Sequence, residues 1–133
     1  MILVDTSVLI DFFKGNKNRA TLTFRTILEE EIPFGIASVI YQEVLQGAKT
    51  EKDFVLLKDY LTAQRFFHPK DLVESYTQAA HMYFLCRKKG VTIRSTIDCL
   101  IAQICIEHDL DLLHNDRDFE ALSKVVNLKI LRI

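Results

Sequence analysis

Short apolar runs, each stopped by an acid or a turn residue, limit what this chain can fold into. Ile2-Leu3-Val4 is too short for a helix and is closed by Asp5, so it reads as a buried strand ending on a carboxylate. Thr6-Ser7 then opens a helix through Val8, Leu9, Ile10, Phe12 and Phe13. The alternation continues to the last residue. Ala20, Phe24, Ile27 and Leu28 recur at helical spacing across 17–31, and Ile32-Pro33 stops them before a strand at 34–37. Ser38 is positioned to cap a helix ending at Gly47, and a further helix over 51–63 puts Phe54, Leu57 and Leu61 on one face. A short strand at 65–68 precedes a long helix capped by Asp71 and closed by Lys88-Lys89-Gly90. An apolar helix over 96–108, a strand at 110–113, a helix from 116 and a strand at 128–133 complete the pattern. Such alternation predicts a three-layer α/β/α fold around a central, mostly parallel sheet. With no linker, repeat or low-complexity tract, residues 1–133 read as one domain.

Several function classes drop out. The 17 basic and 18 acidic side chains give a formal charge of −1, so no global field draws the chain to nucleic acid. Any such contact has to be local, or to borrow positive charge from metal ions. No run is long enough for a membrane span or built like a signal peptide, and Cys86, Cys99 and Cys105 are odd in number and set among apolar residues. These features fit reduced thiols in a cytoplasmic protein without a membrane partner. There is no Gly-x-Ser-x-Gly elbow, phosphate loop or dinucleotide fingerprint, and the four histidines lack metal-ligand spacing.

Four acids stand where acids are uncommon. Glu43 lies on the apolar face of its helix, with Val39, Ile40 and Gly47 as its neighbours at helical spacing. Asp98 opens a helix crowded with Ile97, Leu100, Ile101 and Ile104, and Asp116 repeats the Asp5 pattern of strand, polar turn, acid and helix. Asp118 follows two residues on. Each aspartate can be read as a helix cap, Asp98 with Ser95 as an S-x-x-D box. Taken together, parallel strands bring such ends to one edge of the sheet, where four carboxylates repel unless cations sit among them. Oxygen donors without a His or Cys cluster point to one or two Mg²⁺ or Mn²⁺ ions. Phosphodiester hydrolysis suits that site, because such ions activate water and offset phosphate charge. Arg94 and Arg117 flank the acids and are candidate phosphate contacts.

The set hhhDTSxLID at 2–11, the helix-borne Glu43, the helix-opening Asp98 and Leu-Leu-His-Asn-Asp-Arg-Asp-Phe at 112–119 together resemble a PIN domain. The nearest likeness is to the VapC-type toxin ribonucleases of bacterial and archaeal toxin–antitoxin pairs. The resemblance runs the length of the chain and implies a metal-dependent endoribonuclease with Asp5, Glu43, Asp98 and Asp116 as catalytic, metal-holding acids. It makes Thr6 or Ser7 a supporting hydroxyl and Asp118 an auxiliary acid, and it implies an RNA substrate, a homodimer and a small antitoxin that inserts into the site. His114-Asn115 departs from the family, which often carries Thr or Ser just before the acid. The rivals are a catalytically silent PIN fold serving as a binding module, and a DNA nuclease of the same chemistry. Phe12, Phe13, Phe24, Ile27 and Leu28 are more apolar than two edge helices need, so part of that surface reads either as a partner's seat or as core.

Overall fold

Strand β1 (Ile2–Val4) is the middle of the sheet. The computed structural model describes residues 1–132, and it places β1 between β2 (Phe34–Ala37) and β4 (Asp111–Leu113), with β3 (Arg65–Phe67) and β5 (Lys129–Ile130) at the edges. Every pairing is parallel: Leu3 lies opposite Gly35 on one side and Leu112 on the other. Parallel strands are buried on both faces, which is why β1 and β2 are unbroken apolar runs rather than alternating ones. Leu3, Val4, Ile36, Leu112 and Leu113 are all essentially inaccessible, each contributing roughly 1.5–3 kcal/mol by leaving water.

The helices are α1 (Thr6–Phe13), α2 (Arg19–Glu29), α3 (Ser38–Gln46), α4 (Glu51–Thr62), α5 (Glu74–Lys88), α6 (Thr96–His108) and α7 (Arg117–Ser123). With the sheet they form the expected three-layer α/β/α arrangement. α6 buries Cys99, Leu100, Ile101, Ala102, Ile104 and Cys105. Burial pushes the Cys99 thiol up to about 12 and raises those of Cys86 and Cys105, so these sulfurs are packing groups rather than nucleophiles. No helix among the described residues is long and apolar enough to cross a membrane. Gly35 is a constraint from packing: a Cβ there would stand 2.5 Å from the Phe67 ring and 2.8 Å from the Arg65 carbonyl oxygen.

Some local expectations shift. Ser38 is the first residue of α3 and not its cap, because β2 runs into the helix without a turn and leaves Ala37 as N-cap with no side-chain bond. Gly47 ends α3 in a right-handed conformation, φ −81°, so its left-handed freedom goes unused. α2 is trimmed to Arg19–Glu29 by a reciprocal cap in which Asn18 accepts from the Thr21 N–H and donates its own to Thr21 Oγ1. Asp71 does hold the start of α5, accepting from Val73 and Glu74 at 2.9 and 2.7 Å, although the helix proper begins at Glu74. The last strand is only Lys129–Ile130, and residue 133 of the expected stretch lies outside the described residues.

The strand order places the reversal of chain direction across the sheet at β1, with β2 and β3 on one side and β4 and β5 on the other. Open parallel sheets bind ligands beyond the strand C-termini at that point. Asp5 follows β1 there, and the turn after β4 leads to Asp116.

Candidate metal centre

Asp5 is fixed by its backbone before its side chain is considered. Its N–H donates to the Leu113 carbonyl at 2.9 Å, one step past the last β1–β4 pair, so the residue stands at the sheet's C-terminal edge. It also caps α1, with Oδ2 accepting from the Ser7 N–H at 3.0 Å and the Ser7 hydroxyl at 2.6 Å. The other oxygen, Oδ1, is buried and has no hydrogen-bond partner among the described residues. Capping accounts for one oxygen only. A buried carboxylate oxygen without a donor is costly, and burial accordingly raises the Asp5 carboxyl's pKa against the lowering effect of Ser7.

Glu43, in mid-helix α3, is half-buried and accepts the Thr6 hydroxyl on Oε1 at 2.7 Å. Burial raises its pKa, and the Asp5 carboxylate adds to that rise. Thr6 and Ser7 thus divide the work, one holding Glu43 and the other Asp5. Ser7 Oγ also accepts the Asn115 N–H at 3.0 Å, tying α1 to the turn after β4.

Asp98 occupies the first turn of α6. The cap there is Ser95, whose Oγ accepts from the Ile97 N–H at 3.2 Å, while the Asp98 carboxylate accepts no bond among the described residues. The reciprocal half of the S-x-x-D box is therefore not made. Burial, then the neighbouring charges of Asp5, Asp116, Asp118 and Glu43, push its pKa up to about 7.

Asp116 does cap its helix, α7, through Oδ1 and the Asp118 N–H at 3.0 Å. The same oxygen accepts Arg94 Nη2 at 2.9 Å. Asp118 is buried, and its Oδ2 accepts both the backbone N–H and the Nε–H of Arg94, each at 3.0 Å. Burial alone would raise the Asp118 carboxyl, but the Arg94 bonds and charge, with Arg117 behind them, hold it below the usual carboxylate range. Arg94 is thus an ion-pair partner of two acids in this structure, and the Arg117 side chain is exposed and makes no hydrogen bond or ion pair among the described residues.

Asp5, Thr6, Ser7, Glu43, Arg94, Ser95, Asp98, Asp116 and Asp118 line one open cleft of about 340 Å³. Asp98, Asp116 and Asp118 each present an oxygen within 4.8 Å of the others. Ser95 was expected only as a helix cap, which it is, and its place in the lining of the cleft was not foreseen. Asp11 was also missed: its carboxylate gathers the side-chain amides of Asn16, Asn18 and Asn115, holding the turn that leads to Asp116. Asn115 stands where the family resemblance expects a hydroxyl. His114 is largely buried, accepts the Asp116 N–H on Nδ1 at 3.1 Å and pairs Nε2 with Glu120 at 3.2 Å, a structural role. The cleft offers hard oxygen donors, one of them buried and unsatisfied, which fits Mg²⁺ or Mn²⁺ rather than zinc.

The family model for the PIN domain matches residues 2–125. Ribonuclease VapC11 of Mycobacterium tuberculosis is 31% identical over 130 residues, spanning 97% of this chain and 96% of that protein. Among solved structures, DNA-bound VapBC from Salmonella typhimurium contains a chain of similar fold, with a TM-score of 0.76 and 18% identity over 98% of this chain and 96% of that one. VapC20 of Mycobacterium tuberculosis, described as a sarcin–ricin loop cleaving toxin, gives a TM-score of 0.67 at 18% identity over 95% and 97% of the two chains.

Proposed function

Since this chain belongs to the PIN-domain family, we propose that it is a metal-dependent endoribonuclease, the toxin of a type II toxin–antitoxin pair. The observation that carries the reading is the meeting of Asp5, Glu43, Asp98 and Asp116 in one cleft, with Asp5 Oδ1 buried and unsatisfied. The VapC ribonucleases at 31% identity over nearly the whole chain support RNA as substrate. Residues 1–133 act as one nuclease domain, in the cytoplasm, where buried unpaired thiols such as Cys86, Cys99 and Cys105 are stable.

The four acids hold one or two divalent cations, Mg²⁺ or Mn²⁺. A cation bound there supplies positive charge for the phosphate oxygens and makes water a competent nucleophile near neutral pH. The chain's own residues prepare that site. Ser7 turns Asp5 so that Oδ1 is left free, and Thr6 holds Glu43 at the cleft rather than in solvent. Asp98, whose pKa burial and the neighbouring acids push up to about 7, would have to be deprotonated to hold a cation, so metal affinity should rise with pH. Arg117, exposed beside Asp116, is available to the RNA backbone.

Two surfaces support the partners. A groove of about 580 Å³ between α1, α3 and α4, lined by Ile10, Phe13, Val44, Leu56 and Leu57, suits an apolar segment of the antitoxin. Solved relatives of the same fold are VapBC toxin–antitoxin complexes. On the other side, Leu72, Val73, Tyr76 and Phe84 are exposed along α5 and its approach, and this apolar face suits a second copy in a homodimer.

The test is cleavage of a structured RNA by the purified chain with Mn²⁺, with EDTA, and with matched DNA. Metal-dependent cutting of RNA alone is expected, with Asp5→Asn lower by orders of magnitude while still folded. A folded Asp5→Asn protein that cuts as fast as wild type would remove the assignment.

A further inference from the structure

Five carboxylates line the cleft, and two of them share one cationic partner. Arg94 reaches Asp118 Oδ2 twice, through its backbone N–H and its Nε–H, and reaches Asp116 Oδ1 with Nη2 at 2.9 Å. Its side chain is 57% exposed, whereas that of Asp118 is 7% exposed. An arginine so open to solvent contributes little to stability through ion pairing. What its planar fork supplies is geometry: the carboxylates of the α7 N-cap, Asp116, and of its first turn, Asp118, are fixed to a single rigid group. Because Asp116 Oδ1 already receives the Asp118 N–H, the Arg94 bond gives that oxygen two donors. Asp116 Oδ2 accepts none among the described residues, on a residue that lines the cleft.

We propose that Arg94 is a positioning residue: its guanidinium locks Asp116 with Oδ2 towards the cleft and engages Asp118 Oδ2, so that Asp118, although its carboxylate stands within 4.8 Å of those of Asp98 and Asp116, serves the arginine rather than a cation. Asp118 is then the anchor of the arginine, and Asp5, Glu43, Asp98 and Asp116 are the carboxylates left to face cations. Arg94 lies immediately before the helix that carries Asp98, so the same contacts fix the start of α6 relative to that of α7. The inference rests on the metal-dependent nuclease reading above and assigns this chain's residues within it.

The decisive variant is Arg94→Lys, which keeps the charge and abolishes the fork. Wild type, Arg94→Lys, Asp118→Asn and the double variant are compared by kcat and KM for RNA cleavage at saturating Mn²⁺, and by Mn²⁺ titration calorimetry of the RNA-free protein. Melts in EDTA establish that each is folded, and Arg94→Gln serves as a second probe if Arg94→Lys is not. Loss of the fork should lower kcat and Mn²⁺ affinity about 10–100-fold each, the range for groups that orient metal ligands, with KM within about twofold. Asp118→Asn should resemble Arg94→Lys, and the double variant should be no worse than either, since the two act as one unit. Wild-type kcat and affinity in Arg94→Lys would mean that charge alone suffices. A raised KM with unchanged kcat would make Arg94 a phosphate contact, and lost Mn²⁺ binding in Asp118→Asn alone would return Asp118 to the ligands. Each of these overturns the proposal. If wild type binds Mn²⁺ but cuts no RNA, the nuclease reading fails separately, and the affinity comparison still decides the role of Arg94. Wild type without Mn²⁺ binding overturns both.

Discussion

The Thr6 hydroxyl donates to Glu43 Oε1 at 2.7 Å, joining the first residue of α1 to the middle of α3 across 37 positions. A mid-helix glutamate on an apolar face needs such a partner, and the partner decides which way it points. Thr6→Val keeps the shape and removes the donor. It should cost about 1 kcal/mol in thermal stability and lower RNA cleavage roughly 10–100-fold. Melts and single-turnover rates on the same preparation check this, and an unchanged rate would show that Glu43 needs no orientation.

Metal binding should be visible without any substrate. Wild type is expected to gain about 2.7 kcal/mol of stability from Mn²⁺ at a hundredfold excess over its dissociation constant. Glu43→Gln should lose most of that gain, and because its position is mid-helix no cap is lost with it. Melts of both proteins in EDTA and in Mn²⁺ decide it. Equal shifts would remove Glu43 from the metal site.

Asp98 makes the stability of the metal-free protein fall as pH rises. Its folded pKa, about 7, lies above the ordinary 3.8, so between those values the folded chain holds a proton that the unfolded chain has released. The stabilisation is fully present below about pH 4 and is lost as pH climbs through 7; Asp5 and Glu43, also raised, act in the same direction. The lowered pKa of Asp118 acts in the opposite sense but below its ordinary 3.8, outside this window. Solvent reaches Asp98, so its loss between pH 5 and 8 should be about 1–2 kcal/mol rather than the full unscreened shift. Denaturant titrations in EDTA should show that fall in wild type and a smaller one in Asp98→Asn. A wild type whose stability rises across this range would contradict the assignment.

Phe12 and Phe13, adjacent in sequence, should behave differently on substitution by Asp. Phe12 is half-buried and meets the fully buried Phe24 edge-on, with centroids 4.9 Å apart, so Phe12→Asp should cost about 3 kcal/mol of folding stability. Phe13 is 41% exposed and lines the groove between α1, α3 and α4. Phe13→Asp should cost about 1 kcal/mol or less in stability, yet weaken antitoxin binding roughly thirtyfold, about 2 kcal/mol. Calorimetry with the protein encoded by the adjacent reading frame would measure it. Unchanged affinity would move the antitoxin's seat elsewhere.

How much of this was legible in the sequence depended on the range of the signal. Ile2-Leu3-Val4 and Leu112-Leu113 announced themselves as strands because a doubly buried strand has no polar side to alternate with. Glu43 stood out because 3.6-residue periodicity places it among apolar neighbours. The Phe24, Ile27 and Leu28 surface belonged mainly to the core, and only Phe13 of that set faces the groove. Thr6 for Glu43, Arg94 for Asp116 and Asp118, and Asn115 for Asp11 are contacts between residues 22 to 104 positions apart. No local pattern encodes them. They exist because β1 lies between β2 and β4, so that the segments following these strands meet at one edge of the sheet; a sequence reading can anticipate that meeting, but not the rotamers that follow from it.

The central place of β1 has a consequence for the order in which this molecule is made. Asp5 is synthesised long before its backbone partner Leu113, and Asp116 follows later still. At a synthesis rate of about 5–20 residues per second, roughly 5–20 s separate the first acid from the last. Throughout that interval β1 lacks one neighbour and the cleft lacks one wall. A growing chain therefore carries no assembled cleft beside the ribosome that is producing it until β4 and the turn to Asp116 have been made.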